Sequence, residues 1–238
     1  MKRILYTIGL LWACAMTQAQ TLLPPVWQGS ADVQYSSRTI AYLPPTRIVW
    51  QETTGSSSIE GIDKLLLPGN GQAELVGGKE CVIRKRPDGK VSFLLDFGRE
   101  LQGGIQIVTG QSSRKEAKVR IRFGESVSEA MCDITPENGA TNDHAIRDFH
   151  FTLPWLGVAE IGNSGFRFVR IDVEEPDIDL LLKEVRATFG YRDIPYLGSF
   201  KSDNDRLNDI WMTGAYTVHL NMQEYIWDGV KRDRLVWI

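Results

Sequence analysis

The segment AKVRIRFGE, from Ala117 to Glu125, indicates the fold class of this protein most clearly. Apolar and basic side chains alternate along it, so that each type recurs at every second residue. The apolar members are Val119, Ile121 and Phe123, and the basic members are Lys118, Arg120 and Arg122. A period of two residues is typical of a β-strand with one face in the core and the other in water. The segment therefore predicts a half-buried strand.

Comparable segments on both sides extend this pattern. Further strand-like runs, separated by Gly, Pro and Asn, are CVIRKR (81–86), KVSFLLDFG (90–98), DFHFTL (148–153), FRFVRIDV (166–173) and VRATF (185–189). The first two flank Pro87-Asp88-Gly89, a turn sequence that predicts a β-hairpin. Because short strands follow one another without intervening helices, the chain is predicted to be mainly β, with a β-sandwich or jelly-roll domain.

The sequence pattern changes from strand to helix near Pro195. Between Asp203 and Glu224, apolar residues recur at helical spacing. They are Leu207, Ile210, Trp211, Ala215, Val218 and Met222. Ser202 is the predicted N-cap, with Asp205 three residues further on. One amphipathic helix is therefore expected after the sandwich.

The N-terminus has the composition of a secretory signal peptide. Two basic residues precede an apolar stretch at 4–16, and Thr17 and Ala19 are small residues at the −3 and −1 positions for cleavage before Gln20. The apolar stretch is too short for a comfortable membrane span. Lipidation at Cys14 is the less favoured alternative. We therefore expect an exported protein, periplasmic or extracellular, without a membrane span.

Composition narrows the partners of the protein. The 238 residues carry a formal net charge of −3 and contain no basic tract, which argues against a general affinity for nucleic acid or an anionic membrane. No CxxC or HxxxH spacing occurs, so no metal or other cofactor is expected. Cys81 and Cys132 could form one disulfide in an oxidising compartment, but the sequence gives no distance between them.

The segment DGVKRDRLVWI, from Asp228 to Ile238, interleaves two aspartates with three cations. Three tryptophans lie close by in the sequence: Trp211, Trp227 and Trp237. Aromatic rings beside carboxylates suit a sugar site, because rings stack on sugar faces and carboxylates bind hydroxyl groups. A solvated salt-bridge loop with the tryptophans in the core is the structural alternative. Glu100 and Glu125 could also bind sugar hydroxyls, although carboxylates at strand ends are usually solvated.

DGVKRDRLVWI resembles a segment of glycoside hydrolase family 78, the α-L-rhamnosidases, that reads Asp-(Cys/Gly)-Pro-x-Arg-Asp-Glu and continues to Trp and Gly-Asp. Upstream segments agree in order: LLDFGRELQGGIQI, VRIRFGES and NSGFRFVRIDV resemble the β-sandwich modules of the family. GSFKSDNDRLNDIWMTGAYTVHLNMQEYIWDG resembles the entry into its (α/α)6 barrel. After a signal peptide at 1–19, the resemblance implies a sandwich at 20–195 and the start of the barrel at 196–238.

Family 78 enzymes hydrolyse terminal α-L-rhamnosides with inversion, which needs an acid and a base about 6.5–9.5 Å apart. Matched by position, Asp228 is the sugar-binding carboxylate, and Arg232 and Asp233 are the Arg-Asp pair. The next residue is the acid in the family, and here it is Arg234. A guanidinium stays protonated at working pH. Either Asp233 takes the role of the acid, and it is the candidate here, or a later carboxylate does, or the chain has another activity. Val230 replaces the proline of the motif and relaxes the turn.

The sequence thus predicts an exported glycoside hydrolase of the α-L-rhamnosidase type that acts on carbohydrate without a cofactor. Its predicted substrate-binding residues are Asp228, Arg232, Trp227 and Trp237. A six-hairpin barrel needs about twelve helices of ordinary length. A single helix therefore predicts the N-terminal part of a longer enzyme, with the general base elsewhere. Two alternatives remain open: a non-catalytic carbohydrate-binding or structural β-sandwich module, and a degenerate fragment that does not fold fully.

Overall fold

The computed structural model describes residues 38–75, 80–135, 147–232 and 234–236. The predicted signal peptide lies outside these ranges. The described residues form nine strands: β1 (Arg38–Leu43), β2 (Arg47–Thr53), β3 (Ser58–Glu60), β4 (Cys81–Lys85), β5 (Val91–Thr109), β6 (Glu116–Gly124), β7 (Asp148–Pro154), β8 (Gly157–Val173) and β9 (Ile178–Arg192). They also form a 3₁₀ helix (Ile62–Leu66) and two α-helices, α1 (Val127–Met131) and α2 (Asp205–Asn221).

The strands pair in antiparallel fashion within one continuous sheet. The main order is β3-β4-β9-β5-β8-β6-β7, while β1 pairs with β9 and β2 with β5. Three long strands, β5, β8 and β9, run through the sheet for 19, 17 and 15 residues. The mainly β class predicted from the alternating pattern is confirmed, and the sheet folds into a β-sandwich.

Irregular pairing bends the long strands. The register of β5 against β8 shifts between Asp96 and Leu101 and again at Gly103, whose φ of 142° is a conformation that side chains rarely adopt. A Cβ at Gly103 would lie 1.9 Å from the carbonyl oxygen of Thr188, so only glycine fits there. Such bulges increase the local twist, which lets one sheet wrap around its own core.

The predicted hairpin between CVIRKR and KVSFLLDFG is wrong. Both strands form, but β9 lies between them: Ile83 of β4 is paired with Leu180, and Ile107 of β5 with Val185. The first half of β5 pairs instead with β2 and β8. A long strand from much later in the chain replaces the local pairing because its apolar side chains meet those of β4 and β5 together.

The main core contains fully buried aliphatic and aromatic side chains from β4 to β9. Phe166 makes edge-to-face contacts with Phe97 and Phe123, with ring centroids 5.6 Å and 5.0 Å apart. A smaller cluster on the opposite face of β5 comprises Leu94, Ala130 of α1 and Phe168. Both faces of β5 are therefore covered in its first half.

The predicted burial of the apolar residues of β6 is confirmed, but its basic face is not exposed to solvent along its whole length. Arg122 is only 3% exposed. Its guanidinium donates hydrogen bonds to Asp133 at 2.7 Å and to Asp172 at 2.8 Å. Because buried charge requires partners, these carboxylates make burial of the arginine possible.

Helix α2 is shorter at both ends than the predicted 203–224. Its N-cap is Asn204, whose side chain accepts a hydrogen bond from the amide of Arg206, so the predicted cap, Ser202, lies two residues too early. The predicted apolar stripe is real in sequence, yet Leu207 and Ile210 are exposed. No helix among the described residues is long and apolar enough to cross a membrane.

Both cysteines in the described ranges are free thiols, so they do not form the disulfide that the sequence left open. Cys81 is buried in β4, and burial raises the pKa of its thiol to about 12. Cys132 follows α1 and is partly exposed. The sandwich is therefore held together without a bond between these two residues.

Candidate functional site

A cleft of about 1080 Å³ lies between the middle of β5, the end of β9, α2 and the segment that follows α2. Four aromatic residues line it: Phe189, Tyr191, Tyr196 and Tyr216. The charged residues of its lining are Arg99, Glu100, Glu125, Arg167 and Asp228. Rings beside a few polar groups are the usual lining of a site for small ligands, including sugars.

The chain leaves α2 through a turn that is fixed to β9. Gln223 is fully buried, and its amide donates hydrogen bonds to the carbonyl oxygens of Gly190 at 3.1 Å and Leu220 at 2.9 Å. Arg192 of β9 donates to the carbonyl oxygen of Gln223 at 3.0 Å. These contacts fix the position of the turn that precedes residues 228–235. We call residues 228–235 the motif loop; its Asp233 lies outside the described residues.

Asp228 closes the motif loop. Its amide donates to the carbonyl oxygen of Leu235 at 2.9 Å, and its carboxylate Oδ1 accepts from the amide of Leu235 at 2.9 Å. The side chain is exposed at the edge of the cleft. The sequence-predicted sugar-binding carboxylate is thus held in a defined position beside the aromatic lining.

Arg234 ties the motif loop to the sandwich. Its guanidinium donates to the carbonyl oxygens of Val230 and of Asn163 in β8, and it lies 5.0 Å from the ring centre of Trp227. Its φ of 53° is uncommon for a residue with a side chain. Burial lowers the pKa of Arg234 somewhat, but an arginine remains protonated. Arg234, which stands where the resemblance places the acid, therefore holds the motif loop against β8.

The middle of the motif loop packs on the sandwich. Val230 is 8% exposed, and a Cβ added to Gly165 of β8 would lie 2.6 Å from its Cγ2. Beside it, Lys231 Nζ lies 2.5 Å from Glu129 Oε1 and 3.2 Å from Glu125 Oε2. Burial opposes the charge of Lys231, but the bonds to the two glutamates outweigh burial and raise its pKa.

Glu100 lies in the same region and is partly buried, with its Oε1 shielded from solvent, which corrects the expectation of a fully solvated carboxylate. Burial, followed by repulsion from Glu125, raises the pKa of Glu100 to about 8, although Lys231 opposes the shift. The carbonyl oxygen of Glu100 accepts a hydrogen bond from Tyr216 of α2 at 2.5 Å. Burial raises the pKa of Tyr216 to about 12, so this phenol stays a donor at neutral pH.

The structure brings together only part of the predicted site. Asp228 lines the cleft and Trp227 stacks on Arg234, whereas Arg232 is exposed. Asp233 and Trp237 lie outside the described residues. Sequence reasoning missed the partners of Lys231 because Glu125 and Glu129 are over 100 residues away in the chain. Among the described residues, no group of three or more His, Cys, Asp and Glu is arranged to hold a metal ion.

No protein-family model and no curated protein sequence matches the chain. Solved structures do. A rhamnosidase from Klebsiella oxytoca with rhamnose bound is similar with a TM-score of 0.62 and 17% identity, over 85% of this chain and 39% of the other. A GH78 family rhamnosidase of Bacillus sp. GL1 is similar with a TM-score of 0.57 and 19% identity, over 73% of this chain and 17% of the other.

The chain therefore spans 39% and 17% of the lengths of these two proteins. At identities below a fifth, the likeness is one of fold. The match to the Klebsiella protein covers more of the chain than the strands between Arg38 and Arg192 occupy, so it is not confined to the sandwich. The structural match confirms, at the level of fold, the resemblance to family 78 glycoside hydrolases.

Proposed function

We propose that the chain forms part of an exported glycoside hydrolase of the α-L-rhamnosidase type, in which the cleft binds a terminal L-rhamnosyl unit. The observation that carries this proposal is the position of Asp228 in the motif loop, at the edge of an aromatic cleft, in a chain whose fold is similar to that of two rhamnosidases. The shares of those proteins that the chain spans support its being one part of a larger enzyme. The proposed parts are a signal peptide at 1–19, the sandwich at 20–195 and the start of a barrel at 196–238.

The chemistry of the lining supports sugar binding. A carboxylate such as Asp228 accepts hydrogen bonds from sugar hydroxyl groups, and the tyrosine rings offer apolar faces. Rhamnose has a methyl group at C6, so an apolar wall that includes Met212 and Tyr196 suits it. Trp227, Trp237 and Arg232 are the further proposed substrate-binding residues of the motif loop and its flanks.

Hydrolysis would need an acid on one side of the glycosidic bond and a base on the other, about 6.5–9.5 Å apart. Asp233 is the proposed acid, because Arg234 is engaged with Asn163 and Trp227 and cannot give up a proton. We assign no general base to this chain. We therefore expect the chain, as given, not to release rhamnose from an aryl α-L-rhamnoside. Clear turnover that Asp233→Asn abolishes would contradict this expectation.

Binding can be measured without turnover. Calorimetric titration of the full chain with L-rhamnose should detect binding, and Asp228→Asn should weaken it about tenfold or more, because a charged acceptor is lost. Asp177→Asn is the matched control, since Asp177 is an exposed carboxylate far from the cleft in an ordinary ion pair with Arg86. No binding by the unaltered chain, or equal binding by Asp228→Asn, would overturn the proposal.

A second function is favoured by Arg234 itself. Because the acid's position is occupied by a residue that ties the loop to β8, the cleft could bind sugar without cleaving it, as a carbohydrate-binding module does. The two functions differ in one result. If the proposed function is right, a longer natural protein that contains this chain should hydrolyse the glycoside. If the chain is a carbohydrate-binding module, the longer protein should bind sugar without hydrolysis at this cleft.

A further inference from the structure

The motif loop is attached to the sandwich at three separated points. Gln223 holds the turn before it, Arg234 holds its far end on Asn163, and Lys231 holds its middle on two glutamates. Asp228 lies between the first point and the last. On the C-terminal side of Asp228, the nearest attachment is Lys231, three residues away. This attachment is an ion pair.

The contact of Lys231 is specific in its geometry. One ammonium group is shared by Glu129 of α1 at 2.5 Å and Glu125 at 3.2 Å, and the amide of Glu125 in turn donates to the carboxylate of Glu129 at 2.9 Å. Glu125 lies between β6 and α1, and Glu129 lies within α1. The lysine side chain is about three-quarters buried, so its charge is less screened by solvent than that of an exposed pair.

Packing contacts beside Lys231 restrict the conformations of its side chain. Val230, next to it, is buried against Gly165, and the aliphatic stem of Lys231 lies 3.2 Å from the place of a Cβ on the same glycine. The neighbouring residue on the other side, Arg232, is exposed. The middle of the loop therefore meets the sandwich through Val230 and Lys231, and its far end through Arg234.

We propose that Lys231 is a positioning residue: by joining Glu125 and Glu129 it fixes the middle of the motif loop on the sandwich and so sets the orientation of Asp228 at the cleft. The sandwich then serves the sugar site in two ways: its strands line the cleft, and Glu125 and Glu129 hold the loop that carries Asp228. This inference rests on the proposed sugar-binding role of Asp228.

The charges around Lys231 agree with this role. The ammonium of Lys231 pairs with both Glu125 and Glu129, and Glu129 Oε1 also lies 3.5 Å from Arg147 Nε. Burial raises the pKa of Glu100 of β5, a third carboxyl group near the lysine, to about 8. No other cation is recorded in an ion pair with Glu125 among the described residues. Without the lysine charge, Glu129 would keep Arg147 as a partner but the motif loop would lose its ion pairs with both glutamates, which releases its middle from the sandwich.

The test uses the full chain labelled with ¹⁵N and compares Lys231→Met with Lys231→Arg. Two quantities are measured: the indole N–H resonance of Trp227, assigned with Trp227→Phe, and the Kd for L-rhamnose. Lys231→Met should shift the resonance and raise the Kd about tenfold, because a binding group that is misplaced loses most of its contribution. Lys231→Arg, which keeps the charge, should retain the wild-type resonance and most of the affinity.

Lys183→Met is the matched control. Lys183 also bridges a glutamate, Glu74, at 2.6 Å, but it lies on β9 away from the motif loop, so both quantities should stay at wild-type values. If Lys231→Met does not fold, Glu125→Gln removes the charge of one ion pair of Lys231 while keeping the lysine, and the same two quantities are measured.

The outcomes separate this inference from the proposed function. Binding of L-rhamnose that Lys231→Met leaves unchanged, with an unshifted indole resonance, overturns the positioning role and leaves the proposed function intact. A shifted resonance in Lys231→Met without any binding by the wild-type chain supports the anchoring of the loop but contradicts the sugar site. Equal losses in Lys231→Met and Lys183→Met overturn the inference, since any lost ion pair would then have the same effect.

Discussion

Phe166 and Ile210 are both large apolar side chains, but the first is fully buried in the sandwich and the second, on α2, is 57% exposed. The same contrast holds for the regions around them. The sandwich buries rings and branched chains from six strands in one cluster. Helix α2 and the motif loop bury little apolar surface and are attached mainly through hydrogen bonds and ion pairs.

This difference separates what stabilises the fold from what orients the site. Apolar burial contributes to folding roughly in proportion to area, so the sandwich determines whether the chain is folded at all. Individual polar contacts contribute about 1 kcal/mol net, and they fix direction more than stability. Changes in the sandwich should therefore unfold the protein, whereas changes in the attachments should move the motif loop on an intact sandwich.

The largest effect is expected from Phe166→Ala. The ring makes edge-to-face contacts with Phe97 and Phe123, and its loss leaves a cavity that the surrounding strands cannot fill. The free energy of unfolding in urea should fall by about 3–5 kcal/mol. Phe200→Ala is the control, because Phe200 is exposed, and it should change stability far less. Similar losses for both would show that the contrast in burial does not determine stability.

A smaller loss is expected from Asp96→Asn within β5. Burial would raise the pKa of Asp96, but bonds from Arg167, the amide of Gly98 and Arg47 outweigh it and lower the pKa to about 2. The ionised group therefore stabilises the folded state above its ordinary pKa of 3.8, and this contribution disappears as the pH falls through 2. Asp96→Asn should lose about 2 kcal/mol at pH 7. The stabilities of the two proteins should converge near pH 2 in urea titrations, and a gap that does not depend on pH would contradict the assignment.

Glu100 lies where the two regions meet, and its expected effect has the opposite sign. Because its pKa rises from 4.5 to about 8, its contribution to stability is present below about pH 4.5 and is lost as the pH rises to 8. Glu100→Gln keeps a neutral group and should be more stable than wild type at pH 8 by about 1–2 kcal/mol, below the full linkage value because solvent screens the group. Unfolding midpoints at pH 5 and pH 8 provide the measurement; an equal pH dependence of the two proteins would rule out the buried neutral carboxyl.

The smallest effect is expected from Ile210→Gln on the exposed side of α2. The side chain contacts water rather than the core, so the free energy of unfolding should change by less than about 0.5 kcal/mol. Circular dichroism at 222 nm during urea unfolding gives this value. A loss comparable to that of Phe166→Ala would mean that α2 is part of the same cooperative core as the sandwich.

The fold class could be predicted from the sequence because alternation is a local signal. Val119, Ile121 and Phe123 are all buried in β6, as their spacing predicts. The hairpin between β4 and β5 could not be excluded locally, since its competitor, β9, lies almost 100 residues further along the chain. Burial of Arg122 likewise depends on Asp133 and Asp172, which no periodicity connects to it.

The candidate site divides in the same way. The resemblance of DGVKRDR to family 78 predicted Asp228 as a sugar-binding carboxylate, but the contacts of Arg234 depend on a carbonyl oxygen at Asn163, 71 residues away. The neutral state of Glu100 comes from burial under α2 and the motif loop, which the sequence does not encode locally. Contacts between distant segments therefore decide both the pKa values and the orientation of the site.

The central claim is that the motif loop, held on the sandwich, forms a sugar site with the cleft. Titration of the ¹⁵N-labelled chain with L-rhamnose, followed by two-dimensional NMR, tests it most directly. The account predicts saturable shifts at the amides of Asp228 and Leu235 and at the Trp227 indole, with the sandwich core unchanged. Shifts confined to residues outside the cleft, or no shift at all, would contradict it.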